Sequence, residues 1–150
     1  MTVTVRLTTS AQPLFDQAAE LFDEYRQHYG ANPAPGAVAG WMMDQVAGDH
    51  MRVYVASRDD RAAGICSVAV VPAALTLRTV WLLRDLYVDP DSRRHGIARA
   101  LLAHVADAAR AESAHRLSLQ TEATNARALE LYAKAGFEPV TDVALMHRIL

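Results

Sequence analysis

Of the 150 residues only Cys66 is cysteine, so no disulfide can close within the chain and no multi-cysteine zinc site can form. That usage fits a reducing compartment. Lysine is almost missing as well: Lys134 is the single lysine among 15 basic residues, which leaves positive charge to arginine, the better planar partner for phosphate and carboxylate. No apolar run approaches the length of a membrane span, and MTVTVRLTTS lacks a basic stretch followed by a long apolar one. The expectation is a cytoplasmic protein that neither crosses nor binds a membrane. Neither G-x-x-x-x-G-K-[ST] nor G-x-G-x-x-G occurs, which argues against a nucleoside triphosphatase and a dinucleotide-dependent dehydrogenase. A formal net charge of −2 argues against nucleic-acid binding through overall basicity. No repeat, low-complexity tract or linker-like shift in composition breaks the chain, and no metal site suggests itself.

What is present is globular in composition, 51% hydrophobic and 21% charged, and the length suits one domain over residues 1–150. Val3, Val5 and Leu7 alternate with polar residues as in a short strand. From Pro13 an apolar stripe through Leu14, Ala18, Leu21, Phe22, Tyr25 and Tyr29 predicts a helix that stops at Gly30. A weaker helix is expected over Val38 to Ala47, then strands over Met51 to Ser57 and Ala63 to Val71 joined by the turn RDDR, with Pro72 ending or bending the second. A fourth strand runs from about Val80 to Val88. A long helix follows, with Ile97, Leu101, Val105 and Ala108 on its buried side, then the short strand RLSLQT, a helix over Asn125 to Ala135 closed by Gly136, and two strands, Phe137 to Val140 and Val143 to Ile149. The order predicts a mixed α/β fold with a largely antiparallel front half.

The junction DPDSRRHGIARALL, Asp89 to Leu102, carries the first chemistry. A helix starting there leaves backbone N–H groups from about Arg94 to Arg99 without an intrahelical partner. Convergent amides and the helix dipole both favour an anion at that place. Gly96 has no side chain to block approach, Ala98 is small, and Arg93, Arg94 and Arg99 add charge suited to a diphosphate. The alternative is an ordinary helix start with a solvated basic face.

A second constellation lies in QTEATNARALELYAKAGF, Gln120 to Phe137. On a helix, Asn125, Ala128 and Tyr132 share one face, with Asn125 and Tyr132 about 10 Å apart along the axis. An amide at one end can grip an extended arm, and a phenol at the other can donate a proton. Asn125 is equally suited to cap the helix, and Tyr132 to serve as a core aromatic.

V-D-P-x-x-R-R-x-G-I-A-R-A-L-L followed by N-x-x-A-x-x-L-Y-x-x-x-G-F resembles the GNAT superfamily of N-acetyltransferases, with Arg93 to Ala98 matching its R/Q-x-x-G-x-G/A signature. The front segment LFDEYRQHYG is similar to a subgroup with Y-x-x-F-Y-G in its first helix, His28 here replacing an aromatic. The resemblance implies the acyl-CoA N-acyltransferase fold: a mixed, mostly antiparallel sheet of about seven strands, split in a V between strands 4 and 5 and flanked by about four helices. It implies acetyl-CoA as donor, CoA as product, and direct attack of a primary amine on the thioester in a ternary complex. By the same resemblance the diphosphate sits on Arg93, Arg94, His95, Gly96, Ile97, Ala98 and Arg99, and the pantetheine arm pairs with the backbone of Leu86, Tyr87 and Val88. Asn125 holds the arm, and Tyr132 stands near the sulfur as the acid. The amide of about Val88 faces the carbonyl oxygen. Asp85 is the favoured base, with Glu122 acting through water, His28, or a water chain as competitors. Tyr25 and Tyr29, four residues apart, can serve either the core or the acceptor cleft; the subgroup likeness moves Tyr29 toward the cleft, with Glu122 as a further acceptor contact. Cys66 is expected as a buried apolar residue on the third strand. The acceptor is a small amine, a polyamine-like metabolite or a protein lysine, and a homodimer through the late strands is expected. The competing class is a GNAT-fold module that binds acyl-CoA without turnover.

Overall fold

A computed structural model describes residues 2–9 and 12–150. The chain divides into two compact units, up to Gln120 and from Thr121 to Leu150.

The first unit contains, in chain order, β1 (Val3–Thr8), α1 (Phe15–His28), α2 (Pro35–Ala47), β2 (Arg52–Arg58), β3 (Arg61–Ala73), β4 (Arg78–Val88), α3 (Ile97–Ala111) and β5 (Arg116–Leu119). The strands form one sheet in the order β1-β2-β3-β4-β5. The first four are antiparallel neighbours and β5 runs parallel to β4, the direction change that a helical crossover through α3 permits. Asp59 and Asp60, with φ of 51° and 60°, make the tight β2–β3 turn whose left-handed central residues match the twist of a hairpin. The second helix begins at Pro35, three residues before the expected Val38, because proline suits the first helical turn. Nor does Pro72 end β3: it pairs with Thr79 near the hairpin's far end, exposed and clear of the core.

Helices lie on both faces of the sheet, so the central strands are apolar almost without interruption: Val53 to Ala56 and Ala63 to Val68 are all buried. On one face Phe15, Ala18, Phe22, Val38 and Met42 of α1 and α2 pack with Val53, Val55 and Ile65. On the other, α3 buries Ile97, Leu101, Leu102, Val105 and Ala109, and His104 meets the Tyr54 ring at 5.5 Å. At Gly64 α3 lies close against β3. A β-carbon there would stand 2.6 Å from Ile97 Cγ2, 3.1 Å from the Tyr87 carbonyl oxygen and 3.3 Å from Leu101 Cδ1.

The second unit holds α4 (Ala126–Lys134), which ends just before Gly136 at φ 93°. The expected strands Phe137–Val140 and Val143–Ile149 are not formed, so the described residues carry five strands where about seven were expected. A strand exists only through hydrogen bonds to a neighbour, and alternation in sequence does not supply one. Phe137 N–H donates to the Tyr132 carbonyl at 3.0 Å, the last backbone hydrogen bond of the described chain.

Candidate active site

Past Leu83, β4 parts from its parallel neighbour. Leu83–Leu119 is the last β4–β5 pair, whereas pairing with β3 continues to Val88. Residues 84–88 therefore present one edge of backbone N–H and C=O groups with no strand partner among the described residues, the V-shaped opening expected between strands 4 and 5. At its start the β3–β4 register slips: Ser67 opposes Asp85 and Val68 opposes Leu83, leaving Arg84 as an extra, exposed residue. A bulge of this kind bends a strand and re-aims the side chains beyond it.

The chain leaves β4 through a single 3-10 turn, Pro90–Ser92, and enters α3 at Gly96. Arg94 and Gly96 both take left-handed backbone angles, φ 65° and 74°. The first amide of this helix to find a carbonyl is Ala100, donating to Gly96 at 2.9 Å. Six consecutive N–H groups, Arg94 to Arg99, thus have no hydrogen-bond acceptor among the described residues. Left-handed residues interleaved with others turn successive N–H groups inward as a concave anion seat. A β-carbon on Gly96 would meet nothing within 4 Å, so the space before these amides is open. Arg93, Arg94 and Arg99 are exposed around it; the Arg93 guanidinium carbon lies 5.9 Å from the Tyr87 ring centre, and its Nε donates to the Val88 carbonyl at 3.3 Å. A diphosphate fits this seat, and the bare β4 edge that precedes it fits an arm with alternating amide donors and acceptors. Leu86, Tyr87, Val88 and Arg93 through Arg99 are thereby brought together along one continuous strand edge and loop.

On the α1 face of β4, Asp85 accepts a hydrogen bond from the hydroxyl of Ser67, a side chain with no exposure at all. Tyr87 follows two residues on, its ring 5.9 Å from that of Tyr25, which meets Tyr29 edge-on at 5.2 Å. Tyr25 is half-buried against the core, while Tyr29 is exposed and also touches His28 at 5.3 Å. The phenol of Tyr87 donates to the Glu24 carboxylate. Partial burial, aided by the charges of Asp89 and Glu20, pushes the Glu24 carboxyl up, and the Tyr87 bond opposes that. Burial also raises Tyr87, with the nearby Glu24 charge adding to it. Beside them a cavity of about 650 Å³ opens between α1, the start of β3 and the loop after β4, lined in part by Glu20, Glu24, Asp89 and Asp91. Asp23, next to Glu24 in sequence, is buried: it accepts from Ala34 N–H at 3.0 Å and Arg26 at 3.1 Å, fixing the α1–α2 connection.

Cys66 is fully buried on β3, and burial, together with the Asp85 charge, pushes its thiol far above the usual range. It is a packing residue. In the second unit Asn125 caps α4 through its side-chain oxygen, which accepts from Ala128 N–H at 3.1 Å. Its amide nitrogen stays outside that bond. Glu122 is exposed, and its carbonyl accepts from the Asn125 amide at 3.0 Å. Tyr132 is half-buried, with its ring 6.0 Å from Phe137.

The acetyltransferase (GNAT) family model matches residues 14–137, which include the whole β4 edge, the amide seat and α4. The chain belongs to this family. This acetyltransferase is 29% identical over 133 residues, 88% of its own length and 87% of the relative's, to a Bacillus subtilis (strain 168) protein named "Uncharacterized N-acetyltransferase YhfO". It is 36% identical over 83 residues to a ribosomal protein bS18-alanine N-acetyltransferase of Salmonella typhimurium, a match spanning 55% of this chain and 52% of that one. A solved structure of a probable acetyltransferase superposes with a TM-score of 0.90 at 27% identity, covering 100% of this chain and 98% of that one. The fold is shared, at 17% identity and a TM-score of 0.77, with AAC(6')-Iy, solved in complex with a bisubstrate analog built on CoA; that match covers 100% of both chains. The protein is thus an N-acetyltransferase that takes its acetyl group from acetyl-CoA and delivers it to an amine.

Sequence reasoning missed Ser67, Gly64 and the side-chain pairing of Glu24 with Tyr87. The signal for Gly64 was present: a glycine inside an apolar strand marks a close approach of backbone and neighbour. Ser67 had none, because a serine within a buried run gives no hint of its cross-strand partner.

Proposed function

We propose that this enzyme acetylates a primary amine, carried by a polyamine-like or other small metabolite or by a protein lysine, through direct attack in a ternary complex. The observation that carries the reading is the run of six acceptor-less amides, Arg94 to Arg99, continuing the bare edge of β4. Acetyl-CoA, when bound, supplies an activated acetyl thioester. Arg94 to Arg99 hold its diphosphate, and Leu86 to Val88 align its arm. Asp85, fixed by Ser67, takes the proton that an alkylammonium must lose before it can attack, since such groups titrate near 10. The amide of about Val88 stabilises the carbonyl oxygen as charge develops there. Asn125 holds the arm, and Tyr132 protonates the departing thiolate.

Tyr25, Tyr29 and Tyr87 offer ring faces, with Glu24 and Asp85 among them offering negative charge, surroundings that favour a cationic acceptor. Glu122 is a further acceptor contact in this reading. The enzyme works in the cytoplasm as a homodimer.

The deciding experiment gives the protein acetyl-CoA with a panel of diamines, polyamines, other small amines and lysine peptides and follows free thiol. Thiol release that depends on one class of amine is expected. Tight acetyl-CoA binding with no release from any amine would replace the enzyme by a binding module.

A further inference from the structure

Which backbone groups line the opening beside β4 follows from the β3–β4 ladder. Asp89 N–H donates to the Ala63 carbonyl at 2.9 Å, and in an antiparallel ladder residues that exchange hydrogen bonds alternate with residues whose N–H and C=O point away. Along this register Ile65–Tyr87 and Ser67–Asp85 are bonded pairs, while Leu86 and Val88, opposite Cys66 and Gly64, turn their backbone groups outward. Of residues 86–88, then, Leu86 and Val88 supply the open edge.

One of these outward groups is already taken. Arg93 Nε donates to the Val88 carbonyl at 3.3 Å, and the guanidinium carbon stands 5.9 Å from the centre of the Tyr87 ring. Tyr87 is itself held in place, with its ring 5.9 Å from that of Tyr25 and its phenol donating to Glu24. The guanidinium rests on a fixed aromatic face, at a carbonyl that an extended arm with amide donors needs. Among the described residues no carboxylate forms an ion pair with it.

Arg93 directly precedes the first amide of the phosphate seat. A hydrogen bond from a guanidinium to a charged oxygen is about twice as strong as one between neutral groups, and phosphate oxygens match the guanidinium fork. A diphosphate lodged on Arg94 to Arg99 draws Arg93 off Val88, and a donor without one leaves it there.

We propose that Arg93 selects the acetyl donor: its side chain occupies the arm's place at Val88 until a diphosphate draws it away, so acetyl-CoA is accepted and an acetylated pantetheine without phosphates is resisted. The inference rests on the reading of Arg94 to Arg99 as the diphosphate seat, and it gives Arg93 a task beyond adding charge to that seat.

Titrations of the wild type and of Arg93→Ala with S-acetylpantetheine, which carries no phosphate, and with acetyl-CoA test it, followed by amide NMR shifts so that weak binding is also read. Arg93 is exposed, so the substitution takes nothing from the core. The variant is expected to bind S-acetylpantetheine about fivefold more tightly than the wild type and acetyl-CoA about fivefold more weakly, opposite signs that a residue serving only the fold or only the phosphates does not produce. Inorganic diphosphate should tighten S-acetylpantetheine binding by the wild type and leave the variant unmoved. Equal affinity of the two proteins for S-acetylpantetheine overturns the inference, whatever happens to acetyl-CoA. Inorganic diphosphate that fails to compete with CoA overturns it on a different ground, the loss of the seat itself, and that case is told apart by Gly96→Val, which then keeps its affinity for CoA.

Discussion

Ser67 is fully buried, opposes Asp85 across the β3–β4 ladder, and donates a hydrogen bond to that carboxylate. A buried donor of this kind fixes one oxygen and leaves the other for a substrate proton. Hydrogen bonds to charged groups contribute about 1.5–3 kcal/mol, and about 1.4 kcal/mol corresponds to tenfold in rate. Ser67→Ala should therefore lower kcat about tenfold, leave the dissociation constant for acetyl-CoA unchanged, and be rescued by Ser67→Thr, which keeps the hydroxyl. Steady-state kinetics beside calorimetry would show it; equal losses in binding and turnover would mean that Ser67 only supports the strand. Tyr132→Phe removes one hydroxyl and keeps the ring that meets Phe137. Loss of a general acid costs on the order of a hundredfold in turnover. Unchanged thiol release in that variant would take Tyr132 out of the acid role.

Among the elements, the approach of α3 to β3 decides where the phosphate seat stands. With Ile97 Cγ2 only 2.6 Å from the position a β-carbon would take, Gly64→Ala must push the first turn of α3 outward or strain β3. Overpacking of this kind costs about 1–3 kcal/mol. The variant should unfold at lower denaturant and, because the displaced turn carries the amides of Ile97 to Arg99, bind CoA about tenfold more weakly. A variant that is less stable yet binds CoA normally would separate the helix anchor from the seat. The elements up to β5 were legible in sequence because each carries its own signal: the stripe of α1, the stop at Gly30, the apolar runs of β2 and β3 bounded by turns. The bulge was not. Counting outward from the β3–β4 turn pairs Ser67 with Arg84, and the single extra residue that makes the partner Asp85 leaves no trace in an alternation pattern. The last two strands failed for the opposite reason, since 143–149 is a plainly apolar run and no backbone hydrogen bond that would turn it into a strand is found among the described residues. At the site, backbone groups were readable because glycine and helix start fix them, whereas the Glu24–Tyr87 bond depends on how α1 crosses the sheet, a tertiary fact.

For the molecule as a whole, a net charge of −2 gives an anionic ligand no general attraction. Affinity for CoA must come from the local arginines and the six amides, and ligand binding to the folded state alone raises its stability by mass action. At a CoA concentration a thousand times its dissociation constant the gain is about 4 kcal/mol, which for a chain of this size corresponds to a rise in Tm of about 8–16 °C. Gly96→Val provides the control. Its β-carbon meets nothing within 4 Å, so the fold loses only the strain of a branched residue at φ 74°, about 1–2 kcal/mol, while the side chain enters the space before the amides. The variant should melt a few degrees below the wild type without ligand and show no rise with CoA. A full CoA-induced rise in Gly96→Val would mean that the diphosphate rests elsewhere, and that the acceptor-less amides of Arg94 to Arg99 are only the start of a helix.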